Sequence, residues 1–153
     1  MRVIYRLMDD KAYIEKVQKA TLTTEQFGVN PTHGLFGSAE WWEKILSGGL
    51  PVYTYRGSIT KRYMGSMNDW PEFTMRTDTR EESSWTRYGN SPDSDRAYQV
   101  GRRIEVDYVL QRSRAKSFDP DAERKVVVEI RIEVPSETLR QSIARSRVSG
   151  QKF

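Results

Sequence analysis

At 153 residues the chain fits one domain and leaves too few residues for two good cores. Its hydrophobic fraction of 37% and charged fraction of 30% are polar for a globular protein but not those of a disordered one. The lack of cysteine excludes a disulfide scaffold, a thiol nucleophile and cysteine-ligated metal, and the single histidine, His33, excludes a site built from several.

Net charge is +4, and much of the excess lies at the end of the chain. After residue 135, Arg140, Arg145, Arg147 and Lys152 face only Glu137. Such a tail can touch phosphate or remain solvated. The start, Met1-Arg2-Val3-Ile4-Tyr5-Arg6, is too charged for a signal peptide. No run approaches the ~20 apolar residues of a membrane span. The expectation is a cytoplasmic protein with no membrane partner.

Residues 3–8 read as a first strand, rich in β-branched and aromatic side chains. Asp9 and Asp10 are placed to cap a helix over residues 11–20, whose apolar face is Tyr13, Ile14, Val17 and Ala20. Residues 23–37 hold three glycines and a proline and read as loop. Ser38 caps a second helix over residues 39–47, with Trp41, Trp42, Ile45 and Leu46 on its apolar face. Gly48 and Gly49 stop it.

Residues 51–64 read as a hairpin. Two β-rich runs flank Gly57-Ser58, which suits a type II′ turn because glycine tolerates φ > 0 at its first position. That register would set Tyr55 opposite Thr60 and Tyr53 opposite Arg62. Asn68-Asp69-Trp70-Pro71 reads as another turn, residues 72–76 as a strand, and residues 77–97 as a long polar loop.

Two long strands follow. In residues 103–112, Ile104, Val106, Tyr108 and Leu110 alternate with polar residues. In residues 125–134, Val126, Val128, Ile130, Ile132 and Val134 do so. Period-2 alternation means one buried and one wet face, as in antiparallel sheets. Ser136 is placed to cap a last helix with a narrow apolar stripe of Leu139, Ile143 and Val148. The reading is an α+β fold: an antiparallel sheet of five to six strands with two or three helices on one face, as a domain over residues 1–135 and a basic helix or tail over 136–153.

Three local patterns bear on chemistry. Asp119-Pro120-Asp121-Ala122-Glu123 alternates acids but lacks the glycine and ligand ladder of a calcium loop, so it reads as a solvated turn. Gly34-Leu35-Phe36-Gly37-Ser38 opens a helix and offers amides to an anion, without the lysine of a phosphate loop. His33-Gly34, a helix, Gly49-Leu50 and an aromatic strand resemble the nicotinamide-binding start of ADP-ribosyltransferases over about twenty residues. In that family a strand precedes the His-Gly, whereas Pro31-Thr32 stand here. The resemblance implies a nucleotide-processing enzyme using His33, with Glu129 or Glu133 as candidates for the later glutamate.

The constellation singled out for binding is Tyr53, Tyr55, Arg56, Arg62, Trp70, Arg76, Trp85 and Arg87. Rings stack on bases and arginines hold phosphate, so the set suits a nucleotide-like anion or single-stranded nucleic acid. The same residue types fill protein interfaces and ordinary sheet packing. The leading expectation is a non-enzymatic binding protein for an anionic, nucleotide-like small molecule or a protein partner, self-associating as a homo-oligomer. It carries no cofactor, catalytic residue or metal site. The alternatives are the transferase above and a nucleic-acid-binding protein using the basic tail.

Overall fold

The computed structural model describes residues 1–24, 28–65, 67–112 and 123–135. Among these, six strands form one antiparallel sheet: β1 (Arg2–Arg6), β2 (Tyr53–Gly65), β3 (Trp70–Thr77), β4 (Glu82–Thr86), β5 (Arg103–Arg112) and β6 (Glu123–Ile132), in the order β1-β6-β5-β2-β3-β4. Two α-helices, α1 (Lys11–Thr23) and α2 (Ala39–Ser47), and 3₁₀ turns at Leu7–Asp9 and Pro92–Ala97 complete an α+β fold. The expected helix after Ser136 and the acidic turn before Glu123 lie outside the described residues.

Both α-helices start where the sequence places them. The Asp10 carboxylate accepts from the Tyr13 amide at 3.3 Å, and the Ser38 hydroxyl from the Trp41 amide at 3.3 Å. Each satisfies an amide that has no partner within its helix. Gly48 ends α2 with φ at +82°, a conformation that costs glycine little. The core is rich in rings, with Tyr5, Phe36, Trp41, Phe73 and Tyr98 buried among Leu7, Ile59, Met75, Ile104, Ile130 and Ile132. Leu46 departs from expectation: it is 87% exposed, and Trp41 alone of α2 is fully covered.

The alternation in the long strands shifts partway along. Asp107 pairs with Glu129 and Tyr108 with Val127, so Val128 is an extra residue in β6. A bulge of this kind changes which side chains oppose one another across the ladder. Ile104 and Val106 are buried as expected, but Val109 and Gln111 follow them inside in place of Tyr108 and Leu110. Gln111 is satisfied there: its amide oxygen accepts from the Trp41 indole at 3.2 Å, tying β5 to α2.

The expected hairpin at Gly57-Ser58 does not form. β2 runs unbroken through both residues, pairing Gly57 with Thr77 of β3 and Ile104 of β5. Glycine is required there for close approach: a Cβ at position 57 would lie 2.0 Å from the Arg76 carbonyl oxygen. The chain reverses instead between Gly65 and Trp70, where Met67 and Asn68 take φ of +57° and +62°. Residues 77–97 are likewise structured. β4 is an edge strand, and such a strand carries a weak hydrophobic signal because it has a neighbour on one side only. The Pro92–Ala97 turn is capped by Ser91 and Ser94.

Candidate protein-binding surface

Continuity of β2 separates the residues that a hairpin would have gathered. Tyr53 and Tyr55 now pair with Tyr108 and Val106 of β5, while Arg62 pairs with Phe73 of β3. Alternation along the strand sends Thr54 and Arg56 to the face opposite Tyr53 and Tyr55. Six of the eight expected residues divide into an aromatic group, an ion-pair lattice and a clamp, while Arg76 and Trp70 make separate pairs with Glu82 and Thr86.

The aromatic group assembles. Tyr55 stacks on Tyr108 with centroids 5.3 Å apart, Tyr53 stacks on Tyr108 at 5.7 Å, and Trp85 stands against Tyr55 at 5.5 Å and Tyr108 at 5.6 Å. Lys125 from β6 lays its ammonium over Tyr55, Trp85 and Tyr108 at 4.9, 5.4 and 5.6 Å. It also donates to the Tyr55 hydroxyl at 3.2 Å. A cation over ring faces is drawn by their negative quadrupoles. Burial pushes the Tyr108 phenol up to about 12, with neighbouring Tyr55 adding to the shift. Tyr53 stays 45% exposed at the rim, so the group presents an amphipathic wall to solvent. Tyr108 and Lys125 were not among the expected residues. Only the pairing of β5 with β2 and the shifted register of β6 bring them here.

The arginines serve the fold. Arg56 donates to Glu105 at 2.8 Å in a lattice centred on Arg131. Arg131 meets Asp107 through two nitrogens at 2.7 and 2.9 Å, Glu105 at 3.2 Å, and Glu129. Arg6 adds a bond to Glu129 at 3.2 Å, and the Thr54 hydroxyl one to Asp107 at 2.7 Å. The Arg56 hydrogen bond holds the Glu105 carboxyl below its ordinary range against a partial burial penalty, with Arg131 assisting. Burial pushes Asp107 up, but bonds from Arg131 and Thr54 outweigh it and leave its carboxyl lowered. Arg76 pairs with Glu82 at 2.8 Å.

Arg62 and Arg87 form the clamp. Arg62 reaches Asp95 at 2.5 Å and the carbonyls of Asp95 and Tyr98 at 2.7 and 2.9 Å. Arg87, only 6% exposed, donates to Asp95 at 2.9 Å and to the Tyr63 and Glu72 carbonyls at 2.6 Å each. Trp70 is 52% exposed, and its indole donates to Thr86 at 2.8 Å. A cleft of about 560 Å³ near β1, lined by Arg2, Arg6, Asp9, Asn90, Ser94 and Arg102 among others, contains none of the eight.

His33 sits in a loop, its Nδ1 2.9 Å from the Thr32 hydroxyl and 3.4 Å from the Gln111 amide. Glu129, a candidate for the later glutamate of the transferase reading, is engaged by Arg131 and Arg6.

Among the described residues every buried side-chain polar atom has a partner, and aromatic side chains remain at the sheet surface, a combination that suits a protein-binding domain. A family model described as immunity protein RhsI2 matches residues 1–133, and the chain belongs to that family. No curated protein matches the chain. Membership implies a protein partner and overturns the expectation of a nucleotide-like anionic ligand. It equally overturns the transferase alternative through His33 and the nucleic-acid alternative through the basic tail. The structure supplies the physical reason for the first of these: Arg56, Arg62, Arg76 and Arg87 each bond a carboxylate of the protein's own fold.

Proposed function

We propose that this chain is an immunity protein that neutralises its cognate Rhs toxin by binding it as a folded, preorganised partner. The observation that carries the reading is the extent of the family match, which runs from the first residue past the end of β6 and so takes in the whole sheet and both helices. The aromatic wall of Tyr53, Tyr55, Tyr108 and Trp85 with Lys125 supports it. Tyrosine and tryptophan contribute contact area at little entropic cost and are enriched at interfaces between proteins.

Co-expression with the cognate Rhs toxin in a sensitive bacterial host tests the reading. Cells carrying both should grow at the rate of cells carrying neither, and cells carrying the toxin alone should stop. Growth arrest despite soluble, folded immunity protein would overturn it.

A further inference from the structure

The sheet does not end evenly. β5 accompanies β2 only from Tyr53 to Ser58, whereas β2 and β3 pair on to Gly65 and Trp70, and β4 reaches no further than Glu72. Beyond the Tyr63–Glu72 pair, β2 and β3 continue as a two-stranded arm. Its base is fixed from below, because Arg87 bonds the Tyr63 and Glu72 carbonyls and its backbone amide donates to the Pro71 carbonyl at 3.0 Å.

The end of this arm exposes three large apolar side chains beside the polar Asn68 and Asp69. Met67 is 93% exposed, Trp70 52% and Met64 44%. Met64 pairs with Pro71 and Gly65 with Trp70, so Met64 and Trp70 occupy adjacent register positions and point to opposite faces, with Met67 between them at the tip. The Trp70 ring is oriented by its bond to Thr86, and the Met64 sulfur lies 3.7 Å from Arg87. Exposed large apolar groups gathered in one place mark an interaction site more often than scattered ones do.

Backbone geometry sharpens the point. Met67 holds φ at +57°, the left-handed region in which an unbranched side chain is strained and glycine is not. Folding alone would favour glycine or asparagine at this position, and the methionine gains nothing by burial. Strain without a folding return points to a role outside the fold.

We infer that the β2–β3 tip is an anchor that inserts Met67, flanked by Met64 and Trp70, into an apolar pocket of the cognate Rhs toxin. A projecting arm with Met64 and Trp70 on opposite faces and Met67 at its end fits a concave receptor with an apolar floor and a polar rim to meet Asn68 and Asp69, whereas an apolar patch on one face would fit a flat one. Methionine adapts its shape to such a pocket, and tryptophan is the residue most often found carrying binding energy. The inference rests on the proposed toxin-binding function.

Surface plasmon resonance on immobilised cognate Rhs toxin, with the full chain and its M67G, W70A and L46A variants, tests it. M67G should keep or raise the melting temperature and still bind at least tenfold more weakly. W70A should also lose at least tenfold, and L46A on the exposed side of α2 should match the wild type. Wild-type binding with M67G and W70A both within twofold of it would overturn the anchor alone. No binding by the wild type would overturn the anchor and the toxin-binding function together. A change in self-association on sedimentation of W70A, with toxin affinity unaltered, would put a second copy on the tip and overturn the inference.

Discussion

The guanidinium of Arg87 and the carboxylate of Asp95 meet at 2.9 Å, and the same carboxylate takes Arg62 on its other oxygen. One acid thereby joins β2, the strand end after β4 and the Pro92–Ala97 turn. Arg87 also carries two backbone carbonyls of the arm. Replacing Arg87 with alanine leaves those carbonyls short of a donor and should cost roughly 3 kcal/mol, at the usual 1–3 for each unsatisfied buried group. Lysine should recover little, because a point charge does not reproduce a forked donor. Urea unfolding of the two variants measures both.

Stability should fall in acid. The Asp95, Asp107 and Glu105 carboxyls all lie below their ordinary values in the folded protein. For Asp95, burial opposes the shift, and Arg87 followed by Arg62 outweighs it. A lowered folded pKa means that the unfolded chain takes up protons first as pH drops. The stabilisation is therefore complete above the unfolded value near pH 4 and is lost as pH falls through the folded values. Calorimetry should show a flat melting temperature from about pH 7 to 5 and a decline below about 4. D95N should flatten that decline and lower stability at neutral pH by roughly 1–2 kcal/mol, a figure reduced for the half-exposed carboxylate.

Gly57→Ala should destabilise by roughly 1–3 kcal/mol or more, since its Cβ would lie 2.0 Å from the backbone oxygen of Arg76 and backbone cannot move aside cheaply. Ser58→Ala should cost far less. A turn at these residues would instead make the penalty one of backbone angle. Hydrogen exchange of the Gly57 and Ser58 amides adds a second readout: both should be protected as residues within a ladder.

Tyr108 is the centre of the aromatic wall, touched by Tyr53, Tyr55 and Trp85. Tyr108→Phe should keep stability within about 1 kcal/mol, because ring packing outweighs a phenol at the rim. Tyr108→Ala should cost roughly 2 kcal/mol, below the value for a fully buried ring, and should shift Trp85 emission to the red as water enters. Alkaline titration of the wild type should show one phenol ionising near 12 that disappears in Tyr108→Phe.

Helix ends and long strands were legible in the sequence because their signals are local. Asp10, Ser38 and Gly48 do at the helix ends what their chemistry dictates, and β5 spans the residues the sequence assigns it, although its alternation shifts after Asp107. Gly57-Ser58 misled because glycine answers two needs, freedom of φ and absence of a Cβ, and sequence does not distinguish them. The displaced turn then scattered the expected site. Tyr53, Tyr55 and Trp85 came together through a neighbouring strand, and the arginines went to carboxylates on a neighbouring strand, as Arg56 to Glu105 and Arg76 to Glu82, or in the Pro92–Ala97 turn, as Arg62 and Arg87 to Asp95. Strand order sets those encounters, and strand order leaves no trace in a single chain's periodicity.

The central claim is that this protein acts by forming a complex with its cognate Rhs toxin. Isothermal titration of the toxin with the full chain, followed by assay of residual toxin activity in the same mixtures, tests it most directly. The account predicts a saturating heat of binding and loss of toxin activity in step with occupancy. Loss of activity at immunity protein far below the toxin concentration, or binding that leaves the toxin fully active, would contradict it.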